Sequence, residues 1–327
     1  MKKCKSLKRP ILTITMPVYN VERYLKRGIE SVLGQKFNDF ELIIVDDGST
    51  DNSGNICDYY ANLDDRVRVI HQDNQGLVAA REVALNIANG EYIGFVDPDD
   101  WVEYDFFEKL IEGMKQTDAD VVIGGYVLEY EVNSKVKNRF NNSQMMVISR
   151  DEGIENLFTH KLYQWELWDK IYRKEVIENI SINKKIKCGE DLLRVYHAFC
   201  KSNKICVLPL YGYHYVQRCD SMTRSKIKNY EDTVFYAMST LDEVIDRENE
   251  VIKNAFKMRK NRFLLIEIIE MLKRGNVADK LVKELYKQYI EIIFGNYPIR
   301  FKLISILMFF MFKIKRGNVN ENIGSSL

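Results

Sequence analysis

Residues 14–51 read ITMPVYNVERYLKRGIESVLGQKFNDFELIIVDDGSTD. Two apolar, β-branched runs frame this stretch: Ile11–Thr15, which begins just before it, and Glu41–Val45. Between them, Glu22–Leu33 carries Tyr24, Leu25, Ile29, Val32 and Leu33 at helical spacing. The pattern predicts strand, helix, strand. A polar cluster closes each strand, Pro17-Val18-Tyr19-Asn20 after the first and Asp46-Asp47-Gly48-Ser49-Thr50-Asp51 after the second.

The same alternation continues downstream. Asp51–Asn62 reads as a helix capped by Ser49 or Thr50, Arg66–Ile70 as a third strand, and Leu77–Ala88 as a helix ended by Asn89-Gly90. Glu91–Val96 is a fourth strand, Glu103–Gln116 a helix and Asp120–Tyr130 a long strand. Such order predicts an α/β fold with a mostly parallel sheet and helices on both faces. Residues 131–150 are polar and read as a loop or linker. Residues 151–225 are mixed, and the chain beyond is helical, with Phe263, Leu264, Ile266, Ile269 and Leu272 apolar within Glu250–Arg274. The expected organisation is therefore 1–130, 131–225 and a helical region 226–327.

Composition sets outer bounds. The 327 residues are 46% hydrophobic and 29% charged, which suits a globular chain with a sizeable core. A formal net charge of +1 gives no global field for nucleic acid, so no nucleic-acid partner is expected. The six cysteines form no CxxC pair and do not cluster with histidine, as in a reduced, cytoplasmic setting. The apolar run Ile11–Met16 is too short for a signal peptide and is stopped by Pro17. No segment reaches the ~20 apolar residues of a membrane-spanning helix.

Ligands of open α/β sheets bind outside the carboxyl ends of the strands. A third polar cluster, Asp97-Pro98-Asp99-Asp100, follows the fourth strand and joins the first two at that edge. A diphosphate repels bare carboxylates, so aspartates beside one need an intervening cation. Asp97-x-Asp99 offers hard oxygen ligands for Mn²⁺ or Mg²⁺. Asp47 could accept from a uracil ring N–H, Tyr19 could stack on the base, and Asp97 could accept from a ribose hydroxyl. Taken singly, Asp-Gly-Ser-Thr-Asp is an ordinary turn and helix cap. Three such clusters at successive strand ends are what make the signal specific.

With those residues in view, the sequence resembles the family 2 glycosyltransferases, which have the GT-A fold. The resemblance covers roughly residues 10–225. It rests on residues 14–51 together with NQGLVAAREVALNIANGEYIGFVDPDDW at 74–101 and CGEDLL at 188–193. It implies that Pro17, Tyr19, Asn20, Asp46, Asp47, Arg81, Asp97 and Arg218 line a nucleotide-sugar site. Asp99 would be the metal ligand of the Asp-x-Asp motif, and Arg81 would lie near the phosphates. Glu82 departs from the family, which usually has asparagine there. Asp191 would be the catalytic base, with Glu190 the competing candidate; the plainer reading of Asp191 is a cap for a helix Leu192–Cys200. In YHYVQRCDSMTRS (213–225), Val216 stands where arginine is common, and Arg218, Ser221 and Arg224 could help hold the diphosphate or form a solvated loop. Trp165 and Trp168 are either an acceptor wall or core.

The implied enzyme is an inverting hexosyl- or N-acetylhexosaminyl-transferase. It would use a UDP-sugar donor, Mn²⁺ or Mg²⁺, and a glycan or lipid-linked glycan acceptor of bacterial surface polysaccharide synthesis. A sugar nucleotidyltransferase would show a glycine-rich segment with Arg and Lys after the first strand, where Met16–Asn20 stands instead. A non-catalytic nucleotide-sugar-binding module would fit better without Asp99 or Asp191. Near the end of the chain, Leu303–Phe312 is apolar except for Ser305 and is flanked by Arg300, Lys302, Lys313, Lys315 and Arg316. Peripheral contact with the cytosolic face of a membrane is one expectation. A helix packed on protein, within the chain or in a homodimer, is the other.

Overall fold

The computed structural model describes residues 9–130, 135–138, 143–217, 232–273, 279–295, 297, 299 and 302–307. The chain forms two compact units. The first comprises Met1–Ile186 with Glu190–Ser225, and the second Lys187–Gly189 with Lys226–Leu327.

The first unit grows from β1 (Leu12–Val18) and β2 (Phe40–Asp46), every residue of which is buried, as parallel strands covered on both faces must be. Between them lies α1 (Glu22–Leu33), whose Leu25, Gly28, Ile29 and Val32 form one buried stripe. Then follow α2 (Ser53–Leu63), β3 (Val67–His71), α3 (Leu77–Ile87), β4 (Tyr92–Phe95), the two-residue β5 (Trp101–Val102), α4 (Phe106–Thr117) and β6 (Val121–Tyr130). The segment expected as a linker contributes β7 (Lys135–Asn138) and β8 (Met146–Ser149). After it come α5 (Arg150–Thr159), β9 (Lys170–Arg173), α6 (Lys174–Ile177), α7 (Glu190–Cys200) and the long β10 (Lys204–Gln217).

One sheet results, in the order β3-β2-β1-β4-β9-β6-β10-β5, with β7 beside β6 and β8 beside β10. The β3-β2-β1-β4 portion is parallel throughout. Beyond it the sheet is mixed: β9 runs antiparallel to both β4 and β6, while β10 pairs parallel with β6. The α/β architecture with a flanked, mostly parallel sheet is thus as expected. Strand order reverses beside β1, which makes the carboxyl ends of β1, β2 and β4 the topological switch point where such sheets bind ligands.

The second unit is helical: α8 (Val234–Ser239), α9 (Asp242–Ile245), α10 (Glu250–Lys273) and α11 (Asp279–Phe294). Phe235, Leu264, Leu265, Ile268, Met271, Leu281, Leu285 and Ile292 form its core. Ile266, expected on the apolar face of α10, is exposed instead; the buried stripe runs through Leu264, Leu265, Ile268 and Met271. None of the helices among the described residues is long and apolar enough to cross a membrane.

Candidate active site

The loops after β1 and β2 are laced together by Asn20. Its backbone takes the left-handed conformation (φ 50°), and its Oδ1 accepts from the Thr50 N–H at 2.8 Å while its own N–H donates to Ser49 Oγ at 3.1 Å. Ser49 and Thr50 are therefore engaged by the β1 loop and do not cap α2, whose N-cap is Asn52 without a side-chain bond. Pro17 is buried within β1, opposite Val45, whereas Tyr19 stands 46% exposed beside Asn20.

Adjacent positions at the end of β2 serve different neighbours. Asp46 bonds His71 Nδ1 at 2.8 Å, and the His71 Nε2 reaches Asp58 at 3.0 Å. Those two carboxylates, Asp58 first, raise the His71 pKa. Asp47 accepts from Gln72 Nε2 at 2.6 Å and from the backbone N–H groups of Gln75 and Gly76 at 2.9 and 2.8 Å. It thereby fixes the loop that opens α3. Gly48 sits at φ +74°, and a Cβ there would lie 2.8 Å from the Asn74 nitrogen, so only glycine lets the two loops approach.

About one turn into α3, Arg81 is buried with 1% exposure and binds three carboxylates. One terminal nitrogen donates to both Glu190 Oε2 and Asp191 Oδ1, and the other to Asp97 Oδ1 at 3.1 Å. Arg194, also buried, takes the remaining Glu190 oxygen at 2.6 Å across one turn of α7. The two neighbouring acids therefore differ. Burial alone would raise Glu190, but Arg81 and then Arg194 hold it down to about 2. Burial also raises Asp191; Arg81 opposes this, Glu190 and Asp97 reinforce it, and the carboxyl is pushed up to about 7. Glu190 is buried, while Asp191 keeps 24% of its side chain open to solvent. Glu82, where the family usually has asparagine, pairs with Lys184 at 3.7 Å.

The Asp97–Asp100 turn is supported from below. Trp168 is buried and stacks on Tyr213 with centroids 4.2 Å apart. The Tyr213 hydroxyl donates to Asp100 Oδ2 at 2.9 Å and accepts from the Asp97 N–H at 3.1 Å. Asp100 Oδ1 accepts from the Val216 N–H at 2.8 Å. Burial, then the charges of Asp99 and Asp97, push the Asp100 carboxyl well above the usual carboxylate range. On the other side, α1 comes so close that a Cβ on Gly28 would lie 3.0 Å from the Pro98 carbonyl oxygen. Trp168 is thus core, and Trp165 sits edge-on to His160 at 4.6 Å.

Among the described residues, no three His, Cys, Asp or Glu side chains form a ready metal cage. Mg²⁺ and Mn²⁺ do not need one, since such sites take one or two carboxylates plus phosphate oxygens and water. Asp97 and Asp99 are both partly exposed at the strand end, and their charges crowd Asp100. A divalent cation would relieve that crowding, so the donor set fits it. Arg218, Ser221 and Arg224 lie outside the described residues. Sequence reasoning missed Arg194 and Tyr213; a signal for the first existed in its i, i+4 spacing from Glu190.

Comparison with known proteins shows the family and the fold. The family model described as "Glycosyl transferase family 2" matches residues 13–180. EpsJ of Bacillus subtilis, an uncharacterized glycosyltransferase, is 35% identical over 67% of this chain and 64% of its own length. The minor teichoic acid biosynthesis protein GgaB of the same organism is 26% identical over 73% of this chain and 27% of its own. The chain thus spans less than two thirds of either relative. The crystal structure of S. aureus TarS 1-349 in complex with UDP-GlcNAc shares the fold, with a TM-score of 0.62 and 22% identity over 80% of this chain and 72% of that one. The chain belongs to glycosyl transferase family 2, as the motifs at its strand ends implied.

Proposed function

We propose that this glycosyltransferase moves a sugar from a UDP-sugar to a hydroxyl of a glycan acceptor in bacterial surface polysaccharide synthesis, inverting the anomeric centre. The observation that carries the reading is the bridge made by Arg81 from Asp97, at the donor-binding strand end, to Asp191 on α7. A transferase needs a donor site and a base held at fixed separation, and one buried guanidinium ties both. The TarS complexes with UDP-GlcNAc and with UDP support the donor class.

Asp99, with Asp97 beside it, would hold Mn²⁺ or Mg²⁺, which neutralises charge developing on the leaving diphosphate when bound. Tyr19 would offer a face to the base, with Asp47 fixing the loop that opens α3. Asp191 accepts the proton of the acceptor hydroxyl as its oxygen attacks the anomeric carbon. Its raised proton affinity and partial exposure suit that task, whereas Glu190, with both oxygens held by arginines, is a poor base. Attack opposite the leaving group in one displacement gives inversion without a covalent intermediate. The test is calorimetry of UDP with and without Mn²⁺. Asp99→Ala should abolish the tightening by metal while leaving the fold intact; equal enhancement in parent and variant would remove Asp99 from the role.

A further inference from the structure

The turn that presents Asp97 and Asp99 is closed twice. Across it, the Asp100 N–H donates to the Asp97 carbonyl oxygen at 3.1 Å. The Tyr213 hydroxyl then spans the same two residues, accepting from the Asp97 N–H at 3.1 Å and donating to Asp100 Oδ2 at 2.9 Å. Asp97 and Asp99 are partly exposed, whereas Asp100 and Tyr213 are buried. Tyr213 itself has little freedom. Its ring stacks on Trp168 and meets Phe106 edge-on, with centroids 6.1 Å apart. Its strand is paired on both sides, with Val102 of β5 and Tyr126 of β6 opposite Tyr213. One residue earlier, a Cβ on Gly212 would lie 2.7 Å from the Phe106 ring, so β10 cannot slide there without moving α4.

We propose that Tyr213 is a positioning residue for the divalent cation, setting how tightly the Asp97–Asp99 pair takes it. The proposal rests on the reading of that pair as the cation's carboxylates. A Mg²⁺ or Mn²⁺ site with only one or two protein carboxylates demands near-ideal geometry, so its affinity depends on how those carboxylates are spaced. A phenol hydroxyl accepts and donates at once, which lets a single group tie both ends of the turn at a fixed separation. Phenylalanine in its place keeps the ring and the stack on Trp168. It leaves the Asp97 N–H and Asp100 Oδ2 without that partner, and the turn can relax before metal arrives. Groups that hold metal ligands in place change metal affinity by about 10–100-fold when removed.

Calorimetry of UDP binding to the full chain, with and without Mn²⁺, tests this without any turnover. In Tyr213→Phe, affinity for UDP alone should match the parent, while the tightening by Mn²⁺ should shrink about tenfold or more. Tyr163→Phe removes a different buried hydroxyl, one that donates to the Gly153 carbonyl oxygen at 2.7 Å, and should keep the parental tightening. It controls for the general effect of deleting such a group. If Tyr213→Phe does not fold, Trp168→Phe takes its place, since it loosens the stack that holds the hydroxyl and should reduce the tightening in the same direction. Tightening equal to the parent's in the variant at the turn, or an equal loss in Tyr163→Phe, would overturn the proposal. A parent whose UDP affinity ignores Mn²⁺ would overturn both the proposal and the reading of Asp97 and Asp99 on which it rests.

Discussion

Arg81 and Asp191 are 110 positions apart in the chain and share a hydrogen bond in the interior of the first unit. Neither residue has another route to its position. Arg81 is carried by the helix after β3, and Asp191 opens a helix far downstream. The contact brings the carboxyl group that most resembles a base to the end of the strand that presents Asp97 and Asp99.

Asp191→Asn keeps the shape of the side chain and removes its basicity. Transfer should fall by about two to four orders of magnitude with donor affinity retained, the range usual for loss of a general base. Glu190→Gln should act differently, weakening the Arg81–Glu190–Arg194 chain and lowering the melting temperature. In the parent, Asp191 accepts a proton only when ionised, so the rate should climb with pH up to about 7 and level off above it. A pH–rate profile of the parent without that limb would place the base elsewhere.

Arg81→Met keeps most of the volume and removes the charge. Glu190 would retain only Arg194, and Asp97 and Asp191 would each lose a cation. Breaking a buried ion network in this way costs about 3–5 kcal/mol. Denaturant unfolding should show that loss, and Arg81→Lys should recover only part of it, because one ammonium cannot span three carboxylates.

His71→Ala leaves the buried Asp46 oxygen without its partner. The expected loss is about 1 kcal/mol, reduced from the usual range because the imidazole is 46% exposed and partly screened by solvent. The sign with pH follows from the raised pKa. Its contribution is fully present below the unfolded value of about 6.5 and is lost as pH rises through the higher folded value. Unfolding of parent and variant at about pH 6 and pH 9 should therefore differ more at the lower pH.

Much of this was legible in the sequence because burial and helical period left clear marks. The expected helix Glu22–Leu33 has the bounds found, and most of β1 and β2 is visible as the runs Ile11–Thr15 and Glu41–Val45. Short or polar elements were not. Trp101–Val102 is too brief to show alternation, and Lys135–Asn138 holds one apolar residue, so its place in the sheet depends on pairing with β6. Ser49 and Thr50 carry the chemistry of a cap, but Asn20 claims them from another loop, a contact no local pattern reveals. The carboxylates at the strand ends could be predicted from topology. That Arg81 would join one of them, Asp97, to Glu190 and Asp191 could not, since it depends on where α7 lies against α3.

The most direct measurement is UDP release from a panel of nucleotide-sugars, followed with and without Mn²⁺ in the absence of added acceptor. Slow release is expected from at least one UDP-sugar, dependent on a divalent cation and lost in Asp99→Ala. Turnover confined to donors bearing another nucleotide, or UDP release equally fast without metal and in Asp99→Ala, would contradict the proposed function.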